Sequence, residues 1–114
     1  MTSEQEIEIK NMILFVQDTL YVIGGKWRLP IIIAIKHGNK RFKDIKIVVP
    51  KITNRVLSKE LKELESNKLI KRTVYDSSPV AVEYTLTDYA LTVRPLVVSM
   101  AKWGELHRKK VKGK

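Results

Sequence analysis

Residues 41–86 read RFKDIKIVVPKITNRVLSKELKELESNKLIKRTVYDSSPVAVEYTL, and the fold is decided here. Phe42, Ile45 and Val49 recur at helical spacing, and Pro50 ends that helix because it has no backbone N–H to donate. Thr53, after a short turn, has the chemistry of an N-cap for a second helix. Val56, Leu57, Leu61 and Leu64 give that helix one apolar face, while Asn54, Arg55, Ser58, Lys59 and Lys62 occupy the other. From Leu69 the pattern changes: Ile70 to Tyr75 is rich in β-branched residues, Asp76-Ser77-Ser78-Pro79 is turn chemistry, and Val80 to Leu86 alternates again. Two short helices followed directly by a hairpin are therefore expected.

That order predicts an α+β, mostly helical winged helix-turn-helix, with the helix-turn-helix at 41–67 and the wing at 69–86. The basic helix suits a DNA major groove, which admits an α-helix and is read by that helix's N-terminal residues. Arg55 can fork onto guanine and Asn54 can pair with adenine. Glu60, Glu63 and Glu65 are expected at the far end or on the protein side, because they would repel phosphate. The candidate DNA-contacting set is Lys40, Arg41, Lys51, Thr53, Asn54, Arg55, Ser58, Lys59 and Lys62 from the helical part, with Arg72, Ser77 and Ser78 from the wing. A basic stripe alone is also what a solvated helix face looks like. The adjoining hairpin is what turns the reading towards nucleic acid.

The same residues resemble the HxlR-type transcriptional regulators, a MarR-like family. Gly24-Gly25-Lys26-Trp27, Lys40-Arg41-Phe42, Val56-Leu57-Ser58-Lys59-Glu60-Leu61 and Leu69-Ile70-Lys71-Arg72 carry the likeness. So do Val80 to Thr87 and Ala101-Lys102-Trp103-Gly104, so that it runs from about Leu14 to Trp103. The resemblance implies a bacterial, cytoplasmic, dimeric repressor or activator. Many family members carry a sensing cysteine about ten residues before the glycine pair; Leu14 stands there, and the chain has no cysteine. Thiol chemistry is thereby excluded as a sensor, since nothing can form a thiolate.

Charge supports the placement of the reading head. The net charge of +10 divides into −3 over residues 1–23 (one basic, four acidic), +10 over 24–75 (fourteen, four) and +3 over 76–114 (seven, four). The excess sits where phosphate would be neutralised. With 114 residues, 44% of them hydrophobic, the chain can bury one modest core, and residues 1–114 are read as a single domain. No apolar run is long enough to span a membrane. An acidic start with Glu4, Glu6 and Glu8 is the reverse of a signal peptide, so a cytoplasmic location is expected.

The two ends suggest assembly. Ile9, Ile13, Val16, Leu20 and Ile23 form an apolar stripe within 1–23. Thr87 is placed to cap a helix from about Asp88 to His107, with Tyr89, Val93, Leu96, Val97, Met100, Trp103 and Leu106 on one face. Pro95 should kink that helix. Both stripes either close the monomer's core or pair with a second copy; with the family resemblance, 1–23 and 87–110 are expected to be homodimerisation helices on a pseudo-palindromic operator. Gly24-Gly25 permits a chain reversal before a helix starting near Lys26. A small-molecule effector, if there is one, is expected between the terminal helices and the core, near Tyr21, Trp27, Met100 and Trp103. The basic end Arg108 to Lys114 is expected to fray.

Catalysis is not expected. His37 and His107 are the only histidines, no cluster has metal-ligand spacing, and Gly24-Gly25-Lys26 lacks the rest of a phosphate-binding loop. No cofactor or metal is implied. Binding of RNA or of a protein through the same fold, and nonspecific architectural DNA binding, remain the alternatives. The lack of aromatics beside the basic residues speaks against single-stranded RNA.

Overall fold

The computed structural model describes residues 1–113. Five α-helices and one hairpin follow in the order α1 (Ser3–Ile23), α2 (Arg28–Lys36), α3 (Phe42–Val48), α4 (Asn54–Ser66), β1 (Ile70–Tyr75), β2 (Ala81–Leu86), a 3-10 turn (Tyr89–Val93) and α5 (Arg94–Lys112). This is the mostly helical winged helix-turn-helix that the sequence predicts.

Local chemistry sets most of the boundaries. Helix α1 opens with a capping box, in which Thr2 Oγ1 accepts from Gln5 N at 3.2 Å and Gln5 Oε1 accepts from Thr2 N at 2.8 Å. It ends at Gly24, where a Cβ would lie 2.2 Å from the Leu20 carbonyl oxygen. Gly25 follows with φ +87°, a left-handed conformation that glycine adopts without steric cost. The glycine pair thus makes the reversal into α2. As expected, α3 stops short of Pro50, and Thr53 caps α4 by accepting from Val56 N at 3.2 Å.

The core lies almost wholly between α2 and the base of the hairpin. Ile31, Ile45, Leu57, Leu61, Leu64 and Leu69 are its fully buried large side chains. Burying each of them contributes on the order of 1.5–3 kcal/mol. The hairpin is a two-stranded antiparallel ribbon in the register Ile70↔Leu86, Arg72↔Tyr84, Tyr75↔Ala81. Strict alternation of burial does not carry through β1, because only its base packs on the core: Ile70 is buried, whereas Val74 and Tyr75 are exposed. Tyr84 N donates to the Lys40 carbonyl at 2.7 Å, tying the segment before α3 to the wing.

Three expectations about the C-terminal part need correction. Pro95 does not kink a helix running from Asp88. It occupies the first turn of α5, where its missing N–H costs nothing, and a separate 3-10 turn precedes it. Nor does Thr87 cap that helix: it precedes the 3-10 turn, whose N-cap is Asp88, and its Oγ1 accepts from Ala90 N at 3.2 Å and donates to the Lys68 carbonyl at 2.7 Å. Nor does the basic end fray from Arg108. Helix α5 continues to Lys112 and closes at Gly113, whose φ is +70°. Lys109, Lys110 and Lys112 lie in its last turn, favourably placed against the helix dipole. Lys109 also pairs with Glu105 at 3.5 Å. Trp103 stacks on His107, with centroids 4.9 Å apart and planes 7° from parallel. Lys114 lies outside the described residues.

Helices α1 and α5 extend away from this core. The radius of gyration is 17.4 Å, against about 13 Å for a compact domain of this length. Within α1 only Ile23 is buried, and within α5 nothing is. No helix among the described residues is long and apolar enough to cross a membrane.

Candidate nucleic-acid interface

Helix α4 is two-faced by arithmetic. Leu57, Leu61 and Leu64 stand at i, i+4 and i+7; Arg55, Lys59 and Lys62 are spaced alike, starting two residues earlier. An offset of two residues rotates a helix by roughly 200°, so the stripes fall on opposite sides. The leucines are buried and the three cations exposed, as that geometry requires. Thr53 and Asn54, at the N-terminal end, are exposed as well, and Ser58 is half-buried.

The remaining candidates surround this helix. Lys51 lies in the turn between α3 and α4 and is exposed, with φ +67°. Lysine in a left-handed conformation is uncommon, and Lys68, just past α4, repeats it with φ +64°. Lys40 and Arg41 are exposed at the start of α3, the former anchored to β2 through its carbonyl. Arg72 projects from β1. Together with Ser58, Leu61, Lys62, Glu65 and Tyr84 it lines a cleft of about 330 Å³ between α4 and the wing. Three candidates, Ser58 and Lys62 from α4 and Arg72 from the wing, therefore meet in one groove. At the wing tip, Ser77 and Ser78 are exposed. The Ser77 hydroxyl donates to the Pro79 carbonyl at 2.6 Å, which makes it a brace of its own turn.

The carboxylates of α4 take three positions. Glu65 is exposed at the far end, and Glu63 is half-buried on the flank. Glu60 faces the protein and accepts from Arg28 Nε at 2.7 Å, with 13% and 15% of the two side chains exposed. Sequence reasoning had no part for Arg28, whose partner is 32 residues away and leaves no local pattern.

The four residues named for an effector do not converge. An open, apolar trough of about 880 Å³ does lie between α1 and α5, lined by Met12, Phe15, Val16, Leu20, Leu96 and Met100 among others. Met100 belongs to it. Trp27 instead packs half-buried against the core, with Lys26 Nζ 4.9 Å from its ring centre, while Tyr21 and Trp103 are exposed and outside the trough. Among the described residues no group of His, Cys, Asp or Glu is arranged to hold a metal ion.

An exposed basic helix braced by a hairpin defines the class of helix-turn-helix DNA-binding proteins. Comparison with known proteins narrows this further. The model of the HxlR-like helix-turn-helix family matches residues 22–112, and the chain belongs to that family. It is 42% identical over 93 residues to the HTH-type transcriptional regulator YybR of Bacillus subtilis, covering 82% of this chain and 74% of YybR. YtcD of the same organism is 37% identical over 107 residues, covering 94% and 85%. Among solved structures, the redox regulator HypR in its reduced form superposes with a TM-score of 0.79 at 39% identity, covering 87% of this chain and 98% of that one. A MarR-family regulator from Enterococcus faecalis is matched along all of this chain and 96% of its own, with TM-score 0.71 and 28% identity. The protein is thus an HTH-type transcriptional regulator, and not an enzyme.

Proposed function

We propose that the chain acts as a homodimer that reads a pseudo-palindromic operator, with α4 of each protomer in a major groove and each wing on the flanking backbone. The observation that carries this is the exposed Arg55, Lys59 and Lys62 stripe of α4 beside a cleft shared with Arg72. Arg55 and Asn54, near the N-terminus of α4, take base edges. Lys40, Arg41, Lys51, Lys59, Lys62 and Arg72 neutralise phosphate and fix the register.

Dimerisation is supported by the apolar faces of α1 and α5. In the trough they line together, Phe15 is 61% exposed, Leu20 62% and Met100 49%. Contiguous apolar surface of this kind marks an interaction site rather than ordinary solvent-facing scatter. A second copy covering both helices would place the two α4 helices on successive major grooves, roughly 34 Å apart. HypR is described as a redox regulator. This chain, which has no cysteine, has no thiol through which to sense oxidation.

Selection of bound fragments from a random duplex library, at two salt concentrations, tests the reading. Recovery of an inverted repeat with half-sites about 10 bp apart is the expected result. Binding without a motif that vanishes at the higher salt would leave only the electrostatic attraction of a basic protein for phosphate, and would refute operator recognition.

A further inference from the structure

Arg28 joins three elements through one guanidinium. Its Nε donates to Glu60 Oε2 in α4 at 2.7 Å, and one terminal nitrogen donates to the carbonyls of Tyr21 and Val22, each at 2.8 Å. Those two carbonyls belong to the last turn of α1, where helix geometry leaves C=O groups without intrahelical partners. That turn contains no basic residue of its own. Arg28 itself is the first residue of α2. The planar fork of arginine holds a carboxylate and a carbonyl pair in fixed mutual orientation, which a lysine ammonium would not do. Both charged groups are largely withdrawn from water, so the pair is less screened than a surface salt bridge.

We infer that Arg28 is a positioning residue for DNA readout: it holds the recognition helix α4 at a set angle to the end of α1. This rests on the proposed reading, in which α4 enters the groove and α1 joins the dimer. Glu60 lies on the protein side of α4, about one turn and a half beyond Arg55, so a change in its anchoring rotates or slides the basic stripe as a unit. The other end of the link is equally placed. Thr19, Leu20, Ile23, Gly24 and Gly25 line the apolar trough between α1 and α5, and the carbonyls that Arg28 grips lie within that same turn. Whatever fills or empties the trough moves the acceptors of Arg28, and through them α4. Among the described residues α4 makes no other ion pair, and its buried leucines supply apolar, non-directional anchoring.

The test compares the wild type with Glu60→Gln, Arg28→Lys and the double variant. Each is measured by calorimetry for folding and by titration against two duplexes of equal length, one selected by the wild type from a random library and one scrambled. At a temperature where all variants are folded, the preference for the selected duplex should fall by roughly two- to thirtyfold in each single variant. Affinity for the scrambled duplex should hold, and the double variant should be no worse than the poorer single, because both changes sever one link. Glu60→Gln is the isosteric arm: it keeps the side chain's shape but removes the charge that holds the guanidinium, and it carries the test alone if Arg28→Lys proves too unstable. Folded variants that keep the full preference, or losses that simply add, would overturn the role of Arg28. A wild type that does not distinguish the two duplexes would instead overturn operator recognition itself, and the positioning role with it.

Discussion

The chain contains two regions of opposite surface character. Residues 28–86 bury a dense aliphatic core and leave a charged surface. Helices α1 and α5, 21 and 19 residues long, bury a single side chain between them, Ile23, and leave an apolar surface. The first region packs on itself, while the second keeps its apolar side chains open for the second copy of the proposed dimer. The difference also divides the labour of the molecule. In the proposed dimer, the head presents cations at fixed spacing and a pair of arms sets how far apart two heads stand.

The sharpest way to break this comparison is to spoil the arms and leave the head intact. Leu20→Asp places a charge in the exposed apolar trough and should give a folded monomer. Operator affinity should fall by roughly 10²–10⁴-fold, the range expected when the second half-site no longer binds intramolecularly. Sedimentation of the free variant and titration with operator check both halves. The converse change is Leu57→Ala, which opens a cavity at a fully buried position in the head. It should cost about 3 kcal/mol in denaturant unfolding, whereas Leu20→Ala should change stability only through its dependence on protein concentration.

Smaller effects sharpen the head itself. Arg55→Ala should lose about 1–3 kcal/mol and relax the preference at one position of each half-site, as seen in a repeated selection. Lys51→Gly is a finer probe, because Lys51 holds a left-handed backbone conformation with φ +67°. Glycine relieves that strain but adds freedom to the unfolded chain, so stability should change by less than about 1 kcal/mol. Binding should nevertheless weaken for all sequences alike, with the salt slope falling by about one per protomer if Lys51 contacts phosphate. A loss confined to one base position would assign Lys51 to base readout instead.

What was legible in the sequence follows from how local each signal is. Thr53 and Pro50 act on neighbours within a few residues, and the switch from helical to strand periodicity near Leu69 occurs within one turn of chain; all three could be read directly. Pro95 could not, because a threonine at 87 can precede a long helix or a short 3-10 turn equally well until packing chooses. The persistence of α5 to Lys112 is accompanied by the Trp103–His107 stack and the Glu105–Lys109 pair, which only reward a helix already formed. Arg28 was silent for a different reason. Nothing around a lone arginine announces a carboxylate 32 residues away. Five of the candidate DNA-contacting residues share the short helix α4, so their common exposed side could be read from spacing, while Tyr21, Trp27, Met100 and Trp103 were grouped by aromatic or apolar character alone, and the chain carries them to different surfaces.

The most direct test of a dimeric reader varies the spacing of the operator. Once selected half-sites are known, insertion of about five base pairs between them turns one half-site through half a helical turn, to the opposite face of the duplex. A rigid dimer with α4 helices roughly 34 Å apart predicts loss of two-site binding on that insertion, and recovery of partial affinity when a whole turn is added. Equal affinity at every spacing would contradict it, and would mean that each head binds DNA on its own.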